Sequence, residues 1–223
     1  MAHHYERLRV TLDGTFTLGD MVSVSLECDV HTLTSVQVEA PTHDRHLHAR
    51  RFWTHLVDSP GSTTTMSIIV CEPFGQYFLD TDRSFAARGN LILRPYPIEP
   101  LLHVNSNHYL ELSTHVKMDI SETNNISVTA LGRVLSCDLS DDESHWNLVM
   151  AHRDYEPNDR FHYHFTIRYL VTAWMMTSCP PGTFAEGGLL RVLGFIVSHG
   201  PDPATWLIRA LHVRLVDHHN DEV

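Results

Sequence analysis

Lysine is nearly missing from this chain: Lys117 stands alone, and the other 15 of its 16 basic residues are arginines. With 27 acidic residues the formal net charge is −11. That balance argues against general nucleic-acid binding by phosphate neutralisation, which draws on a basic face or arm, and Met1 to Glu6 is no such arm. Long apolar runs are missing as well. The longest, around Tyr169 to Met176, falls far short of the roughly 20 residues that span a bilayer, and no N-terminal stretch has the apolar core of a signal peptide. No membrane partner is expected, and the chain is expected to be soluble and made in a reducing compartment. Cysteine is sparse, and Cys28, Cys71, Cys137 and Cys179 lie far apart, three of them in strand-like segments, which predicts free core thiols.

Catalytic signatures are absent too. No serine stands in a Gly-x-Ser-x-Gly elbow, which removes the best cue for a hydrolase. Gly182, Gly187 and Gly188 flank a loop and do not join a strand to a helix as phosphate cradles require. No zinc-ligand spacing occurs. The expectation is therefore no enzyme activity, no cofactor and no metal, with no catalytic residue assigned.

What is present is alternation. In Phe161 to Ala173 every odd position is apolar or aromatic and the even ones are mostly polar, the mark of a long half-buried β-strand with Phe161, Tyr163, Phe165, Ile167, Tyr169 and Val171 facing inward. The same period runs through Arg7 to Leu12, Met21 to Cys28, Val36 to Glu39, Thr65 to Cys71, Gly89 to Arg94, His108 to Val116, Ile126 to Cys137, Trp146 to His152, Leu189 to Ser198 and Leu211 to Asp217. Asp13-Gly14 supplies a turn between the first two. These strands predict an all-β fold, a two-sheet antiparallel β-sandwich of jelly-roll type, with one or two short helices in loops. Residues 1–223 read as one domain, and no internal repeat is visible. Thr42 to Val57 fits a helix capped by Thr42. Asp202-Pro203 opens either a helix or a strand. Long connections are expected at His43 to Thr63, Glu72 to Arg88, Tyr96 to Ser106, Asp138 to His145 and Thr177 to Gly188.

Histidines offer metal-like spacing at His43, His46, His48 and His55, without a third convergent ligand. His162 and His164 share one face of the strongest strand. Such a pair resembles the cupin family, whose following Glu and preceding glycine are not in place here. The acidic loop Asp138 to Glu143 reads as a solvated turn, with a hard cation as the rival reading. Arg50, Arg51 and Trp53, Tyr96, and the His162 and His164 pair are the candidate interface residues, because arginine and aromatics favour buried subunit contacts.

Chain size, alternating strands, long loops, little helix, free cysteines and the lack of enzyme motifs together resemble the jelly-roll coat proteins of small non-enveloped icosahedral RNA viruses, of the tymovirus-like kind that lacks a basic arm. The resemblance implies a structural shell subunit that self-assembles as an icosahedral homo-oligomer, holding RNA weakly and non-specifically. It implies location in the virion after synthesis in the host cytoplasm. Assembly would then be favoured by mild acid, through the 18 histidines. Two other readings stand beside it: a soluble β-sandwich module that binds a protein or glycan through its loops, and a cupin-like metal-dependent enzyme.

Overall fold

The alternating run at 161–173 folds as an eleven-residue strand, and among the described residues ten more strands join it in a single hydrogen-bonded sheet. A computed structural model describes residues 8–17, 21–28, 47–59, 62–73, 84–111, 126–156, 160–200 and 202–216. Its strands are β1 (Val10–Thr17), β2 (Met21–Cys28), β3 (Leu47–Ser59), β4 (Ser62–Pro73), β5 (Ser84–Ile92), β6 (Leu101–Glu111), β7 (Ser127–Leu139), β8 (Trp146–Glu156), β9 (Phe161–Val171), β10 (Leu189–Ser198) and β11 (Leu207–Leu215). One short helix, α1 (Ala173–Ser178), follows β9, with Thr172 as its cap.

The pairing closes on itself. β7 pairs with β8, β8 with β9, β9 in parallel with β11, β11 with β10, and β10 returns to β7. The first half repeats the order: β3 pairs with β4, β4 in parallel with β6, β6 with β5 and β5 with β1. β2, which follows β1 in the chain, pairs with β3. Taking β1 and β2 as an interrupted first strand, both halves have the connectivity of the five-stranded Greek-key OB barrel. β1 joins them: Val10 to Asp13 pair with Leu91 to Arg88 on one side and with Ala130 to Ser127 on the other.

All-β is thus what the structure shows. The two-sheet antiparallel jelly roll is corrected to a mixed sheet with two parallel pairs, because closure of each barrel sets its third strand beside its fifth. Alternation predicts strands but is blind to their partners. The internal repeat that the sequence hides is a repeat of topology, which needs only matching alternation and not matching residues.

Other differences have local causes. Leu47–Ser59 is a strand, not part of a helix over 42–57: it pairs along its length with β4 and turns Phe52 and Thr54 inward, a gain that outweighs helical spacing. Asp13-Gly14 lies within β1, where a Cβ on Gly14 would stand 2.9 Å from the Ile126 side chain. A 3-10 turn over Pro203–Thr205 precedes β11 and resolves the ambiguity after Asp202. The loops expected at His43 to Thr63 and Tyr96 to Ser106 are in part β3 and β6. Residues 36–39 lie outside the described residues.

The core runs through the interiors of both barrels. Val10, Leu12, Phe52, Ile68, Leu91 and Leu102 fill the first; Val134, Met150, Ile167, Tyr169, Val192 and Ile208 fill the second. Each such side chain stabilises the fold by about 1.5–3 kcal/mol. Met175 of α1 and Trp206 are buried in the same cluster, Trp206 donating its indole N–H to Gly200 O at 3.0 Å.

One polar group sits among them. His152 Nδ1 lies 3.0 Å from the carbonyl of Leu131, which can only accept, so Nδ1 carries the proton. Nε2 then accepts from the Tyr169 hydroxyl at 3.0 Å. Gly132 makes room for the ring, since a Cβ there would lie 2.5 Å from its Cε1. Burial pushes His152 down to about 4, and burial with the nearby Arg9 charge pushes His103 to about 4.

Both imidazoles therefore stay neutral in the folded chain down to about pH 4, while the unfolded chain takes up those protons near pH 6.5. Their contribution to stability is full above pH 6.5 and is lost as pH falls towards 4, on the order of 3 kcal/mol for each histidine. Urea midpoints should fall across that window, and His103→Gln should flatten part of the slope; a level profile would contradict the buried neutral rings. Tyr169→Phe strands the Nε2 acceptor and should cost about 1–3 kcal/mol in the same measurement.

Candidate functional site

In each barrel the second strand turns an arginine and, two residues on, an aromatic ring to the outside. On β3 these are Arg51 and Trp53, flanking the inward Phe52 and Thr54. On β8 they are Arg153 and Tyr155, flanking the buried His152, Asp154 and Glu156. A period of two forces this placement, since residues i and i+2 share a face.

The neighbouring strands extend each face. On β9, His164 stands opposite Arg153, and His162 opposite Tyr155 with ring centroids 4.9 Å apart. Arg168 lies on the same exposed side, opposite Val149, and its guanidinium also donates to Ala204 O at 3.2 Å. Arg133 of β7 continues the face opposite Ala151 and donates to Gly187 O at 3.1 Å.

The β8–β9 hairpin outruns its barrel, and this corrects the inward assignment of two residues. Phe165, Ile167, Tyr169 and Val171 are buried as expected, but Phe161 is 57% exposed and Tyr163 only half-buried. Tyr163 packs in part against the core, and Phe161, at the start of the strand, meets the Tyr163 ring edge to face with centroids 5.0 Å apart.

Beside the first barrel's face stands the β5–β6 connection, with Tyr96 at 69% exposure and Ile98 at 42%. Its base is pinned. Arg94, almost fully buried, donates from Nε to Glu99 O at 2.9 Å and from a terminal nitrogen to Glu99 Oε1 at 3.2 Å. Ser67 Oγ donates to the same oxygen at 2.8 Å, and Arg51 lies 4.0 Å from it. Burial would raise the Glu99 carboxyl, but its own backbone N–H, Ser67 and the two arginines hold it below the usual range. The tip closes with Ile98 N–H donating to Pro95 O at 3.0 Å.

Of the expected interface residues, Arg51 and Trp53 share one face, and Arg51 reaches the base of the Tyr96 loop. His162 and His164 share the face of the second barrel. Arg50 stands opposite Val70 in the β3–β4 register. Residues 43–46 of the histidine-rich segment, and the side chains of His48 and His55, lie outside the described residues. Of the Asp138 to Glu143 segment, Asp138 and Leu139 end β7 and the rest lies in the turn to β8, where Asp142 accepts from Ser144 N–H at 3.1 Å and lies 2.6 Å from Ser140 Oγ. Hydrogen bonds from Ser140 and Ser144 lower its carboxyl to about 2. Cys137 and Cys179 are free and half-buried, and burial raises Cys137 to about 11.

Sequence reading missed Arg153 and Tyr155. The available signal was the repeated Arg-x-aromatic spacing at 51–53 and 153–155, which gains meaning only when both segments are known to be second strands of like barrels.

Comparison with known proteins gives no matching family profile and no matching curated protein. Among solved structures, the chain is similar to the wild-type single-stranded DNA binding protein from Thermus aquaticus, at 13% identity and TM-score 0.49, covering 98% of each chain. A deletion mutant of that protein matches at the same identity and TM-score, over 97% of this chain and 98% of that one. The coat-protein expectation, with its jelly-roll shell and its virion location, is corrected by a strand order that closes two five-stranded barrels and is not a jelly roll. The loop-binding sandwich and the cupin-like enzyme gain no support either.

Removal of the pin should free the Tyr96 loop. In Arg94→Leu the Glu99 carboxylate loses its closest cation, and the Ile98 amide should exchange with solvent tenfold faster or more, about 1.4 kcal/mol of local stability. Unchanged exchange would mean that the prolines alone hold the loop.

Proposed function

We propose that this chain binds single-stranded nucleic acid along the outer faces of β3–β4 and β8–β9. The observation that carries the reading is the recurrence of one arginine and one aromatic ring at outward positions of the second strand in both barrels. In an OB barrel the face of strands two and three, with the adjoining loops, is the part that holds oligonucleotides. Stacking on aromatic rings, combined with a cationic track for the backbone, is the chemistry that single strands require.

The net charge does not oppose this, because it is a sum over the chain while phosphates meet a face. Asp138, Asp141, Asp142 and Glu143 are gathered at the β7–β8 turn, and Asp154 and Glu156 point inward. β1 is hydrogen-bonded to both barrels, so the two faces act as one unit. With few cations, stacking supplies much of the affinity, and the salt dependence is shallow for a nucleic-acid binder.

The test is a fluorescence titration with a thymidine oligomer of about 30 nucleotides, enough for two barrels at roughly 4–16 nucleotides each. Binding should weaken with salt at a log–log slope of roughly −2 to −3, as for three or four phosphates. Tyr155→Ala and Trp53→Ala should each cost about 1–3 kcal/mol. No titration, or equal affinity for a duplex of the same length, would overturn the reading.

A further inference from the structure

The outer face of β10 and β11 carries a different chemistry. Arg191 stands opposite Arg214, Leu193 opposite His212 and Phe195 opposite Arg209, whose guanidinium lies 5.7 Å from the Phe195 ring centroid. The register slips by one between Leu193 and Gly194, leaving Leu211 as the extra residue of a β-bulge. Bulges re-aim side chains, and this one sends Leu211 outward to 60% exposure, with Leu193 beside it at 42%. Neither strand contains an Asp or a Glu.

Its exposed apolar residues are leucines, which present no ring for a base to stack on, and the half-buried Phe195 ring lies under the Arg209 guanidinium, so this face suits a nucleic-acid strand less than the β8–β9 face does. Aliphatic centres ringed by arginine suit an acidic surface with an apolar residue at its middle. Among the described residues the chain itself carries such a surface. At the end of β7, Leu139 is 45% exposed, with Asp138 before it in the strand and Asp141 and Glu143 exposed in the turn that follows. The turn is held rigid, Ser140 N–H donating to His145 O and Glu143 N–H to Ser140 O, each at 2.9 Å. A partner already fixed in shape loses little entropy on docking.

We propose that the Asp138 to Glu143 turn of one copy docks on the β10–β11 face of a second copy. The two surfaces differ, so the contact is head to tail: each copy keeps one free turn and one free face, and association extends into short chains unless geometry closes a ring. The nucleic-acid reading is separate, since it uses residues of β8 and β9 and not those of β10 and β11.

Sedimentation of the full chain over a range of concentrations provides the test. Wild type should grow beyond a single chain with concentration, and less so at about 0.5 M than at about 0.05 M salt, where exposed charges are less screened. Leu211→Asp alone should sediment as a single chain, as should Asp138→Ser combined with Asp141→Ser. A mixture of the two variants should form a complex of two chains that grows no further, because only one intact turn and one intact face remain to meet. Arg191→Ser with Arg214→Ser replaces the first variant if Leu211→Asp fails to fold, judged by circular dichroism. A wild type that is a single chain at every concentration, a variant that associates as wild type does, or a mixture that stays monomeric would each overturn the proposal.

Discussion

Everything in this fold hangs on β1, whose four residues Val10 to Asp13 exchange hydrogen bonds with β5 on one edge and β7 on the other. A strand has two edges, and here each edge belongs to a different barrel. The extension at its start continues the role: Leu131 N–H donates to Arg9 O at 2.8 Å and Arg153 N–H to Leu8 O at 2.9 Å. Two barrels that could have been tethered by a loose linker are instead knitted at the backbone, and Val10 and Leu12 are completely buried in consequence.

Charge follows from that junction. Asp154 continues the inward side of β8 past the barrel interior, where Arg9 from the other barrel meets it at 3.4 Å. With Asp154 and Glu156 turned inside, the outward alternates Arg153 and Tyr155 carry no carboxylate between them. Four more acids of this half, Asp138, Asp141, Asp142 and Glu143, cluster where β7 turns to β8, so an acidic chain presents faces of opposite character. The β8–β9 side offers rings and guanidinium groups, the β10–β11 side leucines and guanidinium groups.

Polar groups within the core are tolerated because they are matched. His152 is held between a carbonyl that only accepts and a hydroxyl that donates, which fixes one neutral tautomer and one ring orientation. Gly132 beside it is the cost in side-chain packing, since any Cβ would enter the ring. The network ties β7, β8 and β9 together across the barrel interior.

The sequence by itself determined where most strands run, β3 excepted, and which face of β9 is apolar, because a period of two is written in neighbouring residues: Phe165, Ile167, Tyr169 and Val171 are buried as their spacing demands. It also marked Arg51, Trp53, Tyr96, His162 and His164 as residues of the surface worth watching. Only the tertiary structure decided which strands pair, since hydrogen-bond partners in a sheet are backbone groups identical at every position and no side-chain pattern names them. It was closure that set β9 beside β11 and β4 beside β6 in parallel, turned an expected sandwich into two barrels, and placed Arg153 and Tyr155 in the position already held by Arg51 and Trp53. Burial fades along the same face of β9, where Tyr163 packs only in part against the core and Phe161, apolar by sequence and correct in phase, is left 57% exposed.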